Sequence, residues 1–178
     1  MASVERVYLI GFMGSGKSTI GRFIANDMGW TNIDMDHAFE KEHNCTISSF
    51  FEQHGEQAFR DEEEKILKRL STEKKVIIST GGGVPCYANN MSVMKSSGLT
   101  IYIQVDAYVL MNRLESAKES RPLIRSKNKD ELLHYIKSKL AEREPIYNTA
   151  HMIVDGQALP FYCYKMLIEM FPKEELKQ

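Results

Sequence analysis

Five runs rich in aliphatic, β-branched and aromatic residues punctuate the chain: Val4–Ile10, Thr31–Ile33, Lys75–Ser79, Leu99–Val105 and Met152–Val154. Their length and composition predict short strands. Between them the apolar spacing changes to that of helices. Over Lys17–Met28, the residues Ile20, Phe23, Ile24 and Met28 recur at helical intervals, and Gly29 stands where a C-cap belongs. The same reasoning predicts helices over Asp36–His43, Ser48–Gln53, Glu56–Leu70, Tyr87–Ser96, Ala107–Glu115, Lys129–Tyr147 and Pro160–Met170. In the last of these Phe161, Tyr164, Leu167 and Ile168 read as core packing. Strand and helix signals that alternate in this way imply right-handed crossovers, hence an α/β domain with a mostly parallel sheet covered on both faces. One stretch breaks the rhythm. Ser116–Lys129 is polar and charge-rich, and reads either as a solvated loop or as a lid.

Composition narrows the picture. A chain of 178 residues holds one complete domain and is short for two. The formal net charge of -1 supplies no broad attraction to nucleic acid or to an anionic membrane surface, so neither is expected as a partner. No apolar run reaches the ~18 residues of a membrane span. The first ten residues lack the basic start and small-residue cleavage site of a secretory signal. Cys45, Cys86 and Cys163 lie far apart, which argues against a disulfide framework and against structural zinc. A reducing, cytoplasmic setting is the expectation. Lacking an exposed heptad or apolar stripe, the chain is expected to be a monomer.

The most specific chemistry lies in Gly11-Phe12-Met13-Gly14-Ser15-Gly16-Lys17-Ser18, which fits the phosphate-binding pattern G-x-x-x-x-G-K-[ST] directly after a strand and at the start of a helix. Glycines let such a loop curl until its N–H groups point inward at phosphate oxygens, and the helix N-terminus adds its dipole. Gly14, Ser15, Gly16, Lys17, Ser18 and Thr19 are therefore candidate nucleotide-binding residues, with Lys17 reaching the β- and γ-phosphates and Ser18 a ligand of Mg²⁺. A nucleoside triphosphate is implied. The acceptor is not, although the chain lacks the base-reading and switch motifs of GTPases and suits a small-molecule or nucleotide kinase in size.

Four further features follow in order. Asp34 and Asp36 flank Met35 at the end of the second predicted strand; continued alternation would send both carboxylates the same way, one toward Mg²⁺ and one toward an acceptor hydroxyl, whereas Asp36 as a helix N-cap is the plainer alternative. Arg60 sits among acids on a helix, where ion pairs with Glu56, Glu63 or Glu64 would also explain it. Gly81-Gly82-Gly83 ends a strand, and a triplet there suggests that something approaches the backbone closely. Arg121 and Arg143 could each be simple solvated charges.

As a set these segments, with Arg121-Pro122-Leu123-Ile124 and Arg143-x-Pro145-x-Tyr147, closely resemble the shikimate kinase family from about Val4 to Asp155. The resemblance implies a single kinase domain over residues 1–178 of the nucleoside monophosphate kinase type: three layers, with a five-stranded parallel sheet in the order 2-3-1-4-5. It implies a substrate-binding helical segment at about 35–62 and a lid at about 116–129. It also implies transfer of the ATP γ-phosphoryl group to the 3-hydroxyl of shikimate, with Mg²⁺, on the route to chorismate. On matching positions, Asp36 would hold the reacting hydroxyl and act as base, and Asp34 would lie near Mg²⁺. Arg60 and Arg143 would grip the substrate carboxylate, assisted by Gly81, Gly82 and Gly83. Glu63 would position Arg60, Phe51 and Phe59 would form an apolar wall, Arg121 would close over the phosphates, and Arg113 would stack on adenine. The competing readings are a gluconate-type or nucleotide kinase on the same fold, and a P-loop module that binds ATP without catalysis.

Overall fold

The computed structural model describes residues 4–116, 124, 127–159 and 161–171. Its strands are β1 (Arg6–Ile10), β2 (Thr31–Asp34), β3 (Val76–Ser79), β4 (Leu99–Gln104) and β5 (Met152–Asp155). The helices are α1 (Lys17–Met28), α2 (Met35–His43), α3 (Ile47–Leu70), α4 (Asn90–Ser97), α5 (Ala107–Glu115), α6 (Lys129–Tyr147) and α7 (Phe161–Met170). All strand pairs are parallel, in the order β2-β3-β1-β4-β5. The five predicted strands and their implied order are thus observed.

β1 is buried along its whole length, as a strand covered on both faces must be. Its side chains alternate between two cores. Val7 and Leu9 join Ile77, Ile101 and Ile103 beneath α1, α5, α7 and the first part of α6. Tyr8 and Ile10 join Ile78 and Tyr102 beneath α2, α3 and α4. α6 serves both faces: Leu132, Ile136 and Leu140 belong to the first core and Tyr147, at its end, to the second. That crossing carries its last turn over the C-terminal edge of the sheet.

Three local differences from the sequence reading have physical causes. The two predicted helices before and after Gly55 run on as α3, sharply kinked at Gly55 (φ 79°, ψ 175°), a conformation open to glycine alone. The helix predicted from Tyr87 starts only at Asn90. A single 3₁₀ turn, Val84–Cys86, precedes it, and Ala88 at φ 46° interrupts the path. α7 buries Tyr164 and Ile168 but leaves Phe161, Tyr162, Met166 and Met170 exposed, so only part of that helix is core. The predicted lid stretch falls largely outside the described residues, although Ile124 within it is fully buried. No helix among the described residues is long and apolar enough to cross a membrane. All three cysteines are free thiols.

Candidate active site

Between β1 and α1 the chain turns so tightly that Gly14 and Gly16 adopt φ of 81° and 99°. The Ser15 amide closes the turn on the Phe12 carbonyl at 3.2 Å. Gly16 provides no side-chain cap for α1, whose first N–H groups and positive dipole end therefore serve this loop. Lys17 is buried, with its Nζ donating to the carbonyls of Gly11 (2.9 Å) and Phe12 (2.8 Å). Arg113 reaches across from α5 and donates to the carbonyls of Gly14 (3.2 Å) and Ser15 (3.4 Å). Gly14, Ser15, Gly16, Lys17 and Arg113, with Ser18 and Thr19 at the mouth, line a cavity of 540 Å³.

β2 delivers its acids at the same sheet edge, but not as alternation predicts. The strand stops at Asp34 and α2 begins at Met35, so the two carboxylates part company. Asp34, rather than Asp36, is the N-cap: its Oδ1 accepts from the amides of Asp36 (3.0 Å) and His37 (3.4 Å). Its Oδ2 accepts from the Ser18 hydroxyl at 2.5 Å. A hydroxyl and a carboxylate side by side, both hard oxygen donors at the edge of a phosphate loop, suit Mg²⁺, which takes one or two protein oxygens and fills its octahedron with phosphate and water. Among the described residues no three His, Cys, Asp or Glu side chains are grouped so that they could hold a metal ion by themselves.

Asp36 turns the other way, toward the glycine triplet after β3. Its Oδ1 lies 2.9 Å from where a Cβ on Gly81 would stand, and the Oε1 of Glu63 lies 2.8 Å from the same point. A Cβ on Gly83 would collide with the Arg60 guanidinium, whose Cζ is 2.6 Å away, and one on Gly82 would come within 3.2 Å of an Arg143 terminal nitrogen. The close approach suspected at the triplet is therefore made by the protein's own charged side chains. They need the room that three missing Cβ atoms leave.

Arg60 pairs with Glu63 at 2.5 Å and with the exposed Glu56 at 3.4 Å, and stands 5.1 Å from the centre of the Phe59 ring. Burial works against its charge, but the two glutamates hold its pKa above the ordinary value. Glu63 is 5% exposed. Burial pushes its carboxyl up to about 7; Arg60 opposes that rise and the neighbouring Asp36 adds to it. Arg143, in the penultimate turn of α6, lies 5.7 Å from the Phe12 ring centre. Arg60, Arg143, Glu63, Asp36, Phe59 and the glycine triplet line a second cavity of 500 Å³. It shares Met13, Asp36 and Gly82 with the phosphate-loop cavity. The two basins are neighbours along one sheet edge, where parallel α/β sheets hold their ligands.

Comparison with known proteins gives this arrangement its family. The sequence profile described as shikimate kinase matches residues 13–168. The chain belongs to the shikimate kinase family. A shikimate kinase from Parabacteroides distasonis is 37% identical over 156 residues, covering 88% of this chain and 90% of that one. The crystal structure of the shikimate kinase from Bacteroides thetaiotaomicron superposes with a TM-score of 0.90 at 34% identity, covering 94% of this chain and all of the other. The solved structure of the Acinetobacter baumannii shikimate kinase, in complex with shikimate, gives 0.82 at 30% identity over 93% and 90% of the two chains. The chain is accordingly a kinase that phosphorylates shikimate with ATP as co-substrate.

Within the shikimate kinase frame, nearly all the candidate residues converge on the two cavities. Phe51 is the exception: it packs on the Phe59 ring at 5.6 Å and is not among the cavity-lining residues. Arg121 lies outside the described residues. Sequence reasoning missed Met13, Glu40, Thr46, Ile47 and Ser48, all of which line the second cavity. Met13 occupies a free position of the phosphate-loop pattern, which carries no instruction about side chains. The other four meet at the α2–α3 corner, where Glu40 accepts from the Ile47 amide at 3.1 Å and Thr46 caps α3. The sequence reading starts a helix at Ser48, one residue late, and gives no sign that these four residues face a cavity.

Proposed function

We propose that the cavity between α2, α3, the glycine triplet and the end of α6 is the shikimate site, and that Arg60 and Arg143 grip the acceptor carboxylate. The observation that carries this reading is the convergence of two guanidinium groups and the Asp36 carboxylate on one glycine turn, beside the phosphate loop. Each charge-assisted hydrogen bond from a guanidinium to a carboxylate contributes roughly 1.5–3 kcal/mol. Glu63 orients Arg60, Phe59 supplies the apolar wall with Phe51 packed against it, and the amides of Gly81–Gly83 complete the cradle. The segment at about 35–62 is the substrate-binding part of one kinase domain spanning 1–178, and the stretch at about 116–129 its lid.

ATP lies in the other cavity with its phosphates in the Gly14–Ser18 loop, its adenine beside Arg113, and Thr19 at the mouth. Lys17 moves from the loop carbonyls to the β- and γ-phosphates, and Arg121 closes from the lid. Ser18 and Asp34 hold Mg²⁺, which when bound neutralises charge on the phosphate oxygens. Asp36 accepts the proton of the shikimate 3-hydroxyl. That oxygen bonds to the γ-phosphorus as the bond to the β–γ bridging oxygen breaks, leaving ADP and shikimate 3-phosphate. Alignment and charge neutralisation carry most of such a transfer. The unit acts as a monomer in the cytoplasm.

A coupled assay with ATP, Mg²⁺ and a panel of acceptors tests the assignment. Shikimate is turned over and gluconate and nucleoside monophosphates are not, and Asp36→Asn lowers kcat by roughly 10²-fold or more with the ATP KM unmoved. An Asp36→Asn enzyme of near-normal kcat removes Asp36 as base and hydroxyl anchor.

A further inference from the structure

Tyr147, the last residue of α6, is fully buried although it carries a polar phenol. Its hydroxyl donates to the carbonyl of Gly82, the middle of the glycine triplet. On the same helix one turn earlier, the Arg143 guanidinium stands beside that phenol. A terminal nitrogen of Arg143 also lies 3.2 Å from the point where a Cβ on Gly82 would sit. The phenol, the arginine and the triplet thus form a closed arrangement in which each touches the other two. The Tyr147 ring is braced in turn by Tyr102 of β4, 5.0 Å centre to centre. Tyr102 anchors itself to α6 through Glu144 at 3.4 Å. Burial pushes the Tyr147 phenol above its ordinary pKa, partly offset by Arg143, so it keeps the proton that it donates.

Resting on the reading of this cavity as the acceptor site, we infer that Tyr147 is a positioning residue for shikimate: it fixes the spacing between Arg143 and the Gly81–Gly83 backbone. The geometry explains why a buried hydroxyl is used here. Phenylalanine would fill the same space against Tyr102, but it would leave the Gly82 carbonyl without the donor that ties it to α6. The triplet lacks side chains, so side-chain packing of its own cannot hold it in register with the helix end. The phenol supplies that tie from outside. A guanidinium fork matches a carboxylate only within a few tenths of an ångström, so loosening this spacing weakens acceptor binding while leaving the phosphate loop on the other side of Gly82 alone.

The test is Tyr147→Phe, with Tyr102→Phe as a second variant that removes a buried phenol of β4, and its contact with Glu144 of α6, without touching the triplet. Tyr147→Phe raises the shikimate KM roughly tenfold, on the scale of one lost buried hydrogen bond, with ATP KM within twofold of wild type. Its Tm falls by no more than about 4 °C. Tyr102→Phe lowers Tm comparably and leaves the shikimate KM within twofold. A Tyr147→Phe enzyme whose shikimate KM is unchanged overturns the inference, as does one whose two KM values rise by the same factor or one matched by Tyr102→Phe. Should Tyr147→Phe fail to fold, calorimetric titration of Gly82→Ala with shikimate reads the same spacing. A Cβ there stands 3.2 Å from an Arg143 nitrogen, so the guanidinium must shift by a few tenths of an ångström; binding weakens at least tenfold, and undiminished binding contradicts the idea. Failure of the acceptor assignment itself is distinct: Arg60→Ala and Arg143→Ala would then also leave the shikimate KM unchanged, whereas failure of the Tyr147 inference alone leaves both of those variants impaired.

Discussion

Glu63 shows how a single buried acid ties the site to the fold's pH response. Arg60 pairs with it at 2.5 Å and Arg143 is also near, yet burial holds its carboxyl at about 7 against an ordinary 4.5. Across that window folded Glu63 keeps a proton that the unfolded chain has released, so its own contribution to stability is greatest at the acid end and falls as pH rises toward 7. The displacement corresponds to about 3 kcal/mol at most. His151 works in the opposite sense: burial and Lys95 push it down, so its contribution is lost as pH falls below its ordinary 6.5. Comparing Glu63→Gln with wild type at each pH cancels His151. Urea titrations between pH 4.5 and 7.5 should show the variant losing less stability with rising pH than wild type; parallel curves contradict the burial argument.

Among the elements, α3 depends most on one residue. Its kink at Gly55 has no atom within 4 Å of a would-be Cβ, so alanine there meets no clash and pays only in backbone strain. Gly55→Ala should cost roughly 1–3 kcal/mol. It should also raise the shikimate KM with the ATP KM unmoved, because Phe59 and Arg60 follow the kink and the phosphate loop does not depend on it. Equal changes in both KM values would show that the kink serves the whole fold. Elements with local start and stop signals were legible in the sequence. α1 ends at Gly29, whose amide caps it, α5 opens on Asp106, and α6 opens on the reciprocal Asn128–Glu131 box. All three have the predicted bounds. Elements settled by distant partners were not. The helix after the glycine triplet starts late because Tyr87 is extended, its hydroxyl bound to Asp61 of α3 at 2.6 Å. β2 gives way to α2 at Met35 because Asp34 can cap the helix while also accepting from Ser18. The site residues were found by type and order. Their roles toward one another, such as Asp34 against Asp36, needed coordinates.

At the scale of the molecule, the sheet's C-terminal edge separates two chemistries by the width of Gly82, Met13 and Asp36. One side offers backbone amides and a lysine, the other two guanidinium groups. α6 makes the second side possible by passing from one core to the other and ending above the glycine triplet. Calorimetric titration of shikimate and of its methyl ester, into wild type and into Arg60→Ala, tests the carboxylate clamp directly. The ester keeps every hydroxyl and loses only the negative charge. Wild type should bind the acid tighter than the ester by about 2–4 kcal/mol, roughly 30- to 1000-fold, and Arg60→Ala should shrink that preference to a few-fold. Equal affinity of wild type for acid and ester, or a preference that survives intact in Arg60→Ala, would contradict it.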